Sequence, residues 1–216
     1  MSDSNAVCGV LLAGGKSRRM GNRDKALVEL NQKTVLSRVI EIAQPQVTRL
    51  SLNSNADPEN YEGFGFPVIS DVVSGYAGPL AGILTGMNWV REKHPRCKWL
   101  ASFACDAPFI PSNLVTRCLQ QALENGANLA CARSGGRVHP VIGLWSVSLY
   151  VSLKDAIISK GIRKVDEWTA SHRLVEVEWS DEPFDPFFNI NSPEDLVLAE
   201  KMTKLGRFPS QNKMSF

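Results

Sequence analysis

Hydrophobic positions along the chain fall into short unbroken or alternating runs, separated by stretches of helical spacing. Val7 to Leu12 (VCGVLL) is an apolar run that reads as a buried strand. Val35 to Ala43 shows helical spacing, and Val47 to Asn53 alternates as a strand does. Phe66 to Ser70 is a short strand that stops at Asp71. A Gly/Pro-rich turn, Ser74 to Gly82, leads into a helix through about Glu92. Trp99 to Ala104 is a strand ending at Cys105-Asp106, and Ser112 to Leu123 a helix. Leu129 to Arg133 and Val138 to Trp145 pair as strands around Ser134-Gly135-Gly136. Helices follow over Leu149 to Ser159 and Val165 to Ser171, then a strand, Leu174 to Trp179. Ser192-Pro193-Glu194-Asp195 has the serine cap, proline and first-turn acids of a final helix.

Strands alternating with helices predict an α/β fold of three layers, α/β/α, around a mostly parallel central sheet. Without a linker or repeat, one domain spans residues 1–216, with 6–204 as its folded core and the polar ends 1–5 and 205–216 frayed. Ligands of open α/β sheets sit at the carboxyl ends of strands. Gly14-Gly15, Asn53, Asp71 and Asp106 all fall at predicted strand ends, which points to one site.

Charge sharpens that picture. Lys16, Arg18, Arg19, Arg23 and Lys25 stand against Asp24 alone, a local +4 in a chain of net +2. Glycines followed by cations after a strand suit phosphate, because backbone N–H groups approach the anion and the cations neutralise it. A global +2 is too weak to argue for nucleic acid or an anionic membrane surface. No apolar run reaches the roughly 18 residues of a membrane span. The N-terminus lacks a signal-peptide pattern, and five scattered cysteines fit a reducing compartment. A cytoplasmic location is therefore expected, with the cysteines buried or unreactive.

Several familiar motifs fail. The string around Gly15-Lys16-Ser17 has valine, Val10, where a P-loop needs its first glycine. The dinucleotide fingerprint and the serine-hydrolase elbow are absent, and His94, His139 and His172 lack metal-ligand spacing. His94 and His172 read as solvated helix-end side chains.

The stretch Leu12 to Lys25, LAGGKSRRMGNRDK, resembles the signature loop of nucleotidylyltransferases with a Rossmann-like, glycosyltransferase-A-like fold, the nucleotide-diphospho-sugar transferase architecture. The closer resemblance is to the molybdenum cofactor guanylyltransferase family. Ser51 to Asn55, Asp71 with Gly78-Pro79-Leu80-Ala81-Gly82, Cys105-Asp106-Ala107-Pro108 and Asn189 to Glu194 match that family in order. The resemblance implies guanylyl transfer from GTP to the terminal phosphate of molybdopterin. Leu12, Ala13, Gly14 and Gly15 would bind the nucleotide through backbone groups, and Arg19 and Lys25 would contact phosphates. Asn53 and Asp71 would contact the nucleotide, Asn53 offering both a donor and an acceptor. Asp106 would hold Mg²⁺, a hard cation that prefers oxygen and keeps waters. Asn189 and Asn191, amides where related transferases place an acid, would complete that side. Arg163-Lys164 and His139-Pro140 would face the pterin phosphate, whereas Trp145 and Trp168 read as packing.

Two other readings stay open. One is a cytidylyl or sugar-nucleotide transferase on the same fold; the other is a GTP-binding delivery protein without chemistry. Beyond its two substrates, transient contact with cofactor-insertion chaperones or recipient molybdoenzymes is expected, and neither nucleic acid nor membrane.

Overall fold

The computed structural model describes residues 6–13, 25–75 and 78–204. Seven strands form the main sheet: β1 (Val7–Leu12), β4 (Arg49–Asn53), β5 (Val68–Ile69), β6 (Trp99–Ala104), β7 (Leu129–Ser134), β8 (Arg137–Ser146) and β9 (Leu174–Trp179). Their order is β5-β4-β1-β6-β8-β7-β9. Every pairing is parallel except the two made by β8, which runs antiparallel to β6 and β7. The expected mostly parallel sheet is thus present, with the hairpin β7–β8 inserting the single reversed strand.

Strand periodicity sends alternate side chains to opposite faces. Val7 and Leu11 of β1 enter one core with helices α1 (Val35–Ala43) and α3 (Leu114–Glu124). Cys8 and Val10 enter the other with α2 (Pro79–Lys93), α4 (Tyr150–Ile158) and α5 (Val165–Thr169). The fold therefore has the three layers expected, and no described helix is long and apolar enough to cross a membrane. Trp145 and Trp168 are buried in the second core, packing residues as anticipated.

One element was not anticipated. Glu29–Leu30 (β2) and Lys33–Thr34 (β3) form a small antiparallel hairpin. Its turn residues Asn31 and Gln32 have φ of 49° and 64°, the left-handed pair a two-residue hairpin requires. Gln is an uncommon residue there, so the turn lacked its usual glycine signal. The hairpin packs with α6 (Pro193–Lys204) through a third apolar cluster that includes Leu30, Phe109, Ile190 and Ala199.

Candidate active site

The site is built on the carboxyl ends of β1, β4, β5 and β6. At the end of β4, Asn53 is 4% exposed, and its amide has little freedom. Its Nδ2 donates to the carbonyl of Ile69 at 3.1 Å and to Oδ1 of Asp71 at 3.0 Å. Both amide hydrogens are thereby used. Of the donor and acceptor expected from this residue, the donor half serves Asp71 and the adjoining strand end. Asp71 follows β5 and is partly exposed. Its second oxygen, Oδ2, accepts from Asn55 Nδ2 at 2.8 Å, while its own backbone N–H donates to Asn55 Oδ1 at 2.9 Å. The next N–H, of Val72, donates to Thr85 Oγ1 on α2 at 3.0 Å.

The GPLAG segment explains itself sterically. A Cβ on Gly82 would lie 2.4 Å from Asn53 Oδ1 and 2.7 Å from Leu12 Cδ2. Only a hydrogen at this position lets α2 approach the ends of β1 and β4. Gly78, at φ 152°, turns the chain into Pro79 at the start of α2, and this backbone region suits glycine alone.

Leu12 ends β1, and the N–H of Ala13 donates to the carbonyl of Asn53 at 2.9 Å. That donor belongs to the sheet edge, so Ala13 cannot also offer it to a nucleotide. Lys25 opens a 3₁₀ turn, Lys25–Leu27. Gly14, Gly15, Lys16, Arg18, Arg19 and Arg23 lie outside the described residues.

Asp106 follows β6 and is partly exposed. Its carbonyl accepts the N–H of Ile190 at 2.9 Å, which brings the segment Asn189–Asn191 against it. The Asn189 Oδ1 is buried and without a hydrogen-bond partner. A buried amide oxygen normally has a partner, so this one is an acceptor awaiting a donor or a hard cation. Asn191 is set by α6: Asp195 Oδ2 accepts the N–H groups of Asn191 and Ser192, each at 2.9 Å, and Ser192 Oγ caps Asp195 N at 3.2 Å. The backbone segments that carry the carboxylate and the two amides are thus joined. Among the described residues no group of three His, Cys, Asp or Glu side chains could hold a metal. A cation here would depend on Asp106, amide oxygen, water and substrate phosphate, a donor set that fits Mg²⁺.

The backbone of Arg163 stands beside this site, its carbonyl 3.8 Å from where a Gly78 Cβ would be. His139 is placed differently from expectation. It is 6% exposed, with Nε2 2.8 Å from Ser134 Oγ, and its ring lies 4.8 Å from that of Phe187. Ser134 Oγ also donates to Asp185 Oδ1 at 2.7 Å, and Phe187 N donates to the same oxygen at 2.9 Å. His139 therefore anchors the segment leading to Asn189 instead of meeting a substrate phosphate. Burial holds its imidazole below the ordinary pKa, with Asp185 opposing and Arg137 adding to the shift. His94 and His172 are only partly exposed, packed edge-on or tilted against Trp89 and Trp168. All five cysteines are free and buried, and burial pushes the Cys118 and Cys131 thiols up to about 12.

Asn55, Thr85, Ser134 and Asp185 were not singled out from sequence. The N-x-N spacing at 53 and 55 was the available signal for the first of them: alternate residues of an extended segment share a side.

A mostly parallel sheet that carries Asn53, Asp71 and Asp106 at its carboxyl edge, with a family match over most of the chain, places the molecule among the nucleotidyltransferases. The chain belongs to the MobA-like NTP transferase domain family, whose model matches residues 9–175. It is 47% identical over 202 residues to the molybdenum cofactor guanylyltransferase of Rhodopseudomonas palustris strain BisB5, covering 94% of this chain and 96% of that protein. In fold it is similar to molybdopterin-guanine dinucleotide biosynthesis protein A from Archaeoglobus fulgidus, with a TM-score of 0.71, 23% identity and coverage of 92% and 99% of the two chains. The fold also matches 4-diphosphocytidyl-2C-methyl-D-erythritol synthase from Anaerococcus prevotii, with a TM-score of 0.73, 10% identity and coverage of 94% and 97%.

Proposed function

We propose that this protein transfers GMP from GTP to the terminal phosphate of molybdopterin, releasing pyrophosphate. The observation that carries the reading is the backbone junction of Asp106 with the Asn189–Asn191 segment, on the same carboxyl edge of the sheet that carries the Asn53–Asp71 pair. Asp106 would serve the cation and Asp71 the nucleoside. The name of the Rhodopseudomonas palustris relative, at nearly full coverage, supports guanine over cytosine.

In this reading an oxygen of the molybdopterin phosphate attacks the α-phosphorus of GTP in line. The bond from that phosphorus to the bridging oxygen breaks, and pyrophosphate leaves with the electron pair. A phosphate monoester has a second pKa of about 6 and is already ionised near neutral pH. No side chain has to remove a proton, and none at the site is arranged to do so among the described residues. The protein's work is positioning and charge stabilisation. Asp71 orients the nucleoside, Asp106 and Asn189 would hold Mg²⁺, and Arg19 and Lys25 would neutralise phosphate charge. Mg²⁺, when bound, supplies charge neutralisation on the phosphates. The whole chain acts as one domain in the cytoplasm, with cofactor-insertion chaperones or recipient molybdoenzymes as transient partners.

The test is pyrophosphate release from GTP, CTP and UTP, with and without Mg²⁺ and molybdopterin, with the pterin product weighed by mass spectrometry. Release that needs GTP, metal and molybdopterin together is expected. A preference for CTP, or GTP binding without turnover, would overturn the reading.

A further inference from the structure

Asp71 is held by more than Asn53. A planar carboxylate gripped at one oxygen still turns about its last side-chain bond. Asn53 grips Oδ1 alone, and its second hydrogen goes to Ile69. Asn55 supplies what is missing. Its Nδ2 holds Oδ2 at 2.8 Å, and its Oδ1 takes the Asp71 backbone N–H at 2.9 Å. Two bonds to one residue offset the rotamer entropy that an exposed side chain loses when it is fixed. The platform beneath Asn55 is also fixed: Ser54 N donates to Ile69 O at 3.2 Å, and Ser54 Oγ bonds the buried Tyr61 hydroxyl at 3.1 Å.

We infer that Asn55 is a positioning residue, which locks the plane of the Asp71 carboxylate so that its remaining lone pairs meet an N–H or O–H donor of the nucleoside. The inference rests on the nucleotide-transfer reading above. It assigns Asn55 to nucleoside recognition, not to the phosphates or the acceptor.

Two variants separate the bonds. Asn55→Ala removes both. Asn55→Asp keeps an oxygen for the Asp71 N–H but removes the donor to Oδ2 and sets a carboxylate against it. Steady-state kinetics with GTP and molybdopterin should show KM for GTP raised about tenfold in Asn55→Ala and at least as much in Asn55→Asp. The kcat should stay within about twofold, since the interaction is equal in ground and transition states. Inhibition by pyrophosphate, which carries no nucleoside, should keep its wild-type constant. Wild-type KM for GTP in Asn55→Asp would overturn the inference. So would a fall in kcat or in pyrophosphate affinity matching the rise in KM, since that pattern marks general damage to the site. Failure of the wild-type protein itself to use GTP would instead overturn the reading on which the inference rests.

Discussion

The N–H of Ile190 donates to the carbonyl oxygen of Asp106 across 2.9 Å, joining the turn after β6 to the segment that precedes α6. This bond is made by backbone alone. Exchanging the Asp106 side chain therefore leaves the two segments joined while removing the carboxylate. Asp106→Ala should still fold cooperatively yet lose roughly a hundredfold or more of turnover, the scale of losing a group that stabilises transferred charge. Pyrophosphate release checks it. Wild-type turnover by the folded variant would remove Asp106 from the reaction.

Gly82→Ala tests the close approach of α2 to the strand ends. The new methyl would stand 2.4 Å from Asn53 Oδ1, and Asn53 is already committed to Ile69 and Asp71. Relief requires α2 to retreat or Asn53 to swing away, and either displaces Asp71. Overpacking of this kind costs about 1–3 kcal/mol. Urea unfolding should show that loss, and GTP titration should show weaker binding in the same variant. Loss of stability with unchanged GTP affinity would separate Gly82 from the nucleotide site.

The strands and helices were legible because burial on both faces writes unbroken apolar runs, and amphipathic helices write their own period. β1, β6, β9 and α1 have the predicted bounds. The β2–β3 hairpin was not legible, because two residues per strand carry no period and Gln32 is a poor signal for a left-handed turn. At the site, the strand-end positions of Asn53, Asp71 and Asp106 were legible from punctuation alone. What each side chain does with its hydrogen bonds was not. Sequence gives Asn53 a free donor, and only the three-dimensional meeting with Ile69 and Asp71 shows it spent. His139 misled for the same reason: Ser134 and Phe187 cover it after folding.

A buried polar contact between β6 and β8 gives a prediction remote from the site. Trp145 Nε1 donates to Ser102 Oγ at 2.7 Å, and that hydroxyl donates onward to the carbonyl of Val141 at 2.7 Å. Both residues are fully buried. Ser102→Ala strands the indole N–H away from water, at about 1–3 kcal/mol for a buried group left unmet, and takes a donor from the part-buried Val141 carbonyl. Chemical denaturation should show the loss, with turnover per folded molecule unchanged. A neutral substitution would mean that water or a neighbouring group replaces the serine.

His139 links pH to the segment that carries Asn189. Burial holds its imidazole below the 6.5 of an exposed histidine, so the folded protein keeps it neutral where the unfolded chain has begun to take up a proton. The unfolded state therefore binds more protons between the lowered value and 6.5, and stability falls as pH falls through that window. The contribution is fully present above 6.5 and levels off below the folded-state value. One such group can supply a slope of at most about 1.4 kcal/mol per pH unit. Asp185, which accepts from Ser134 and from Phe187 N, ties this equilibrium to the strap of residues 185–191. Urea midpoints of the wild type and His139→Gln should differ by a constant amount above pH 6.5, and the difference should shift in favour of the variant below it. Parallel curves across the window would show that His139 binds protons alike folded and unfolded, and that pH does not reach the strap through it.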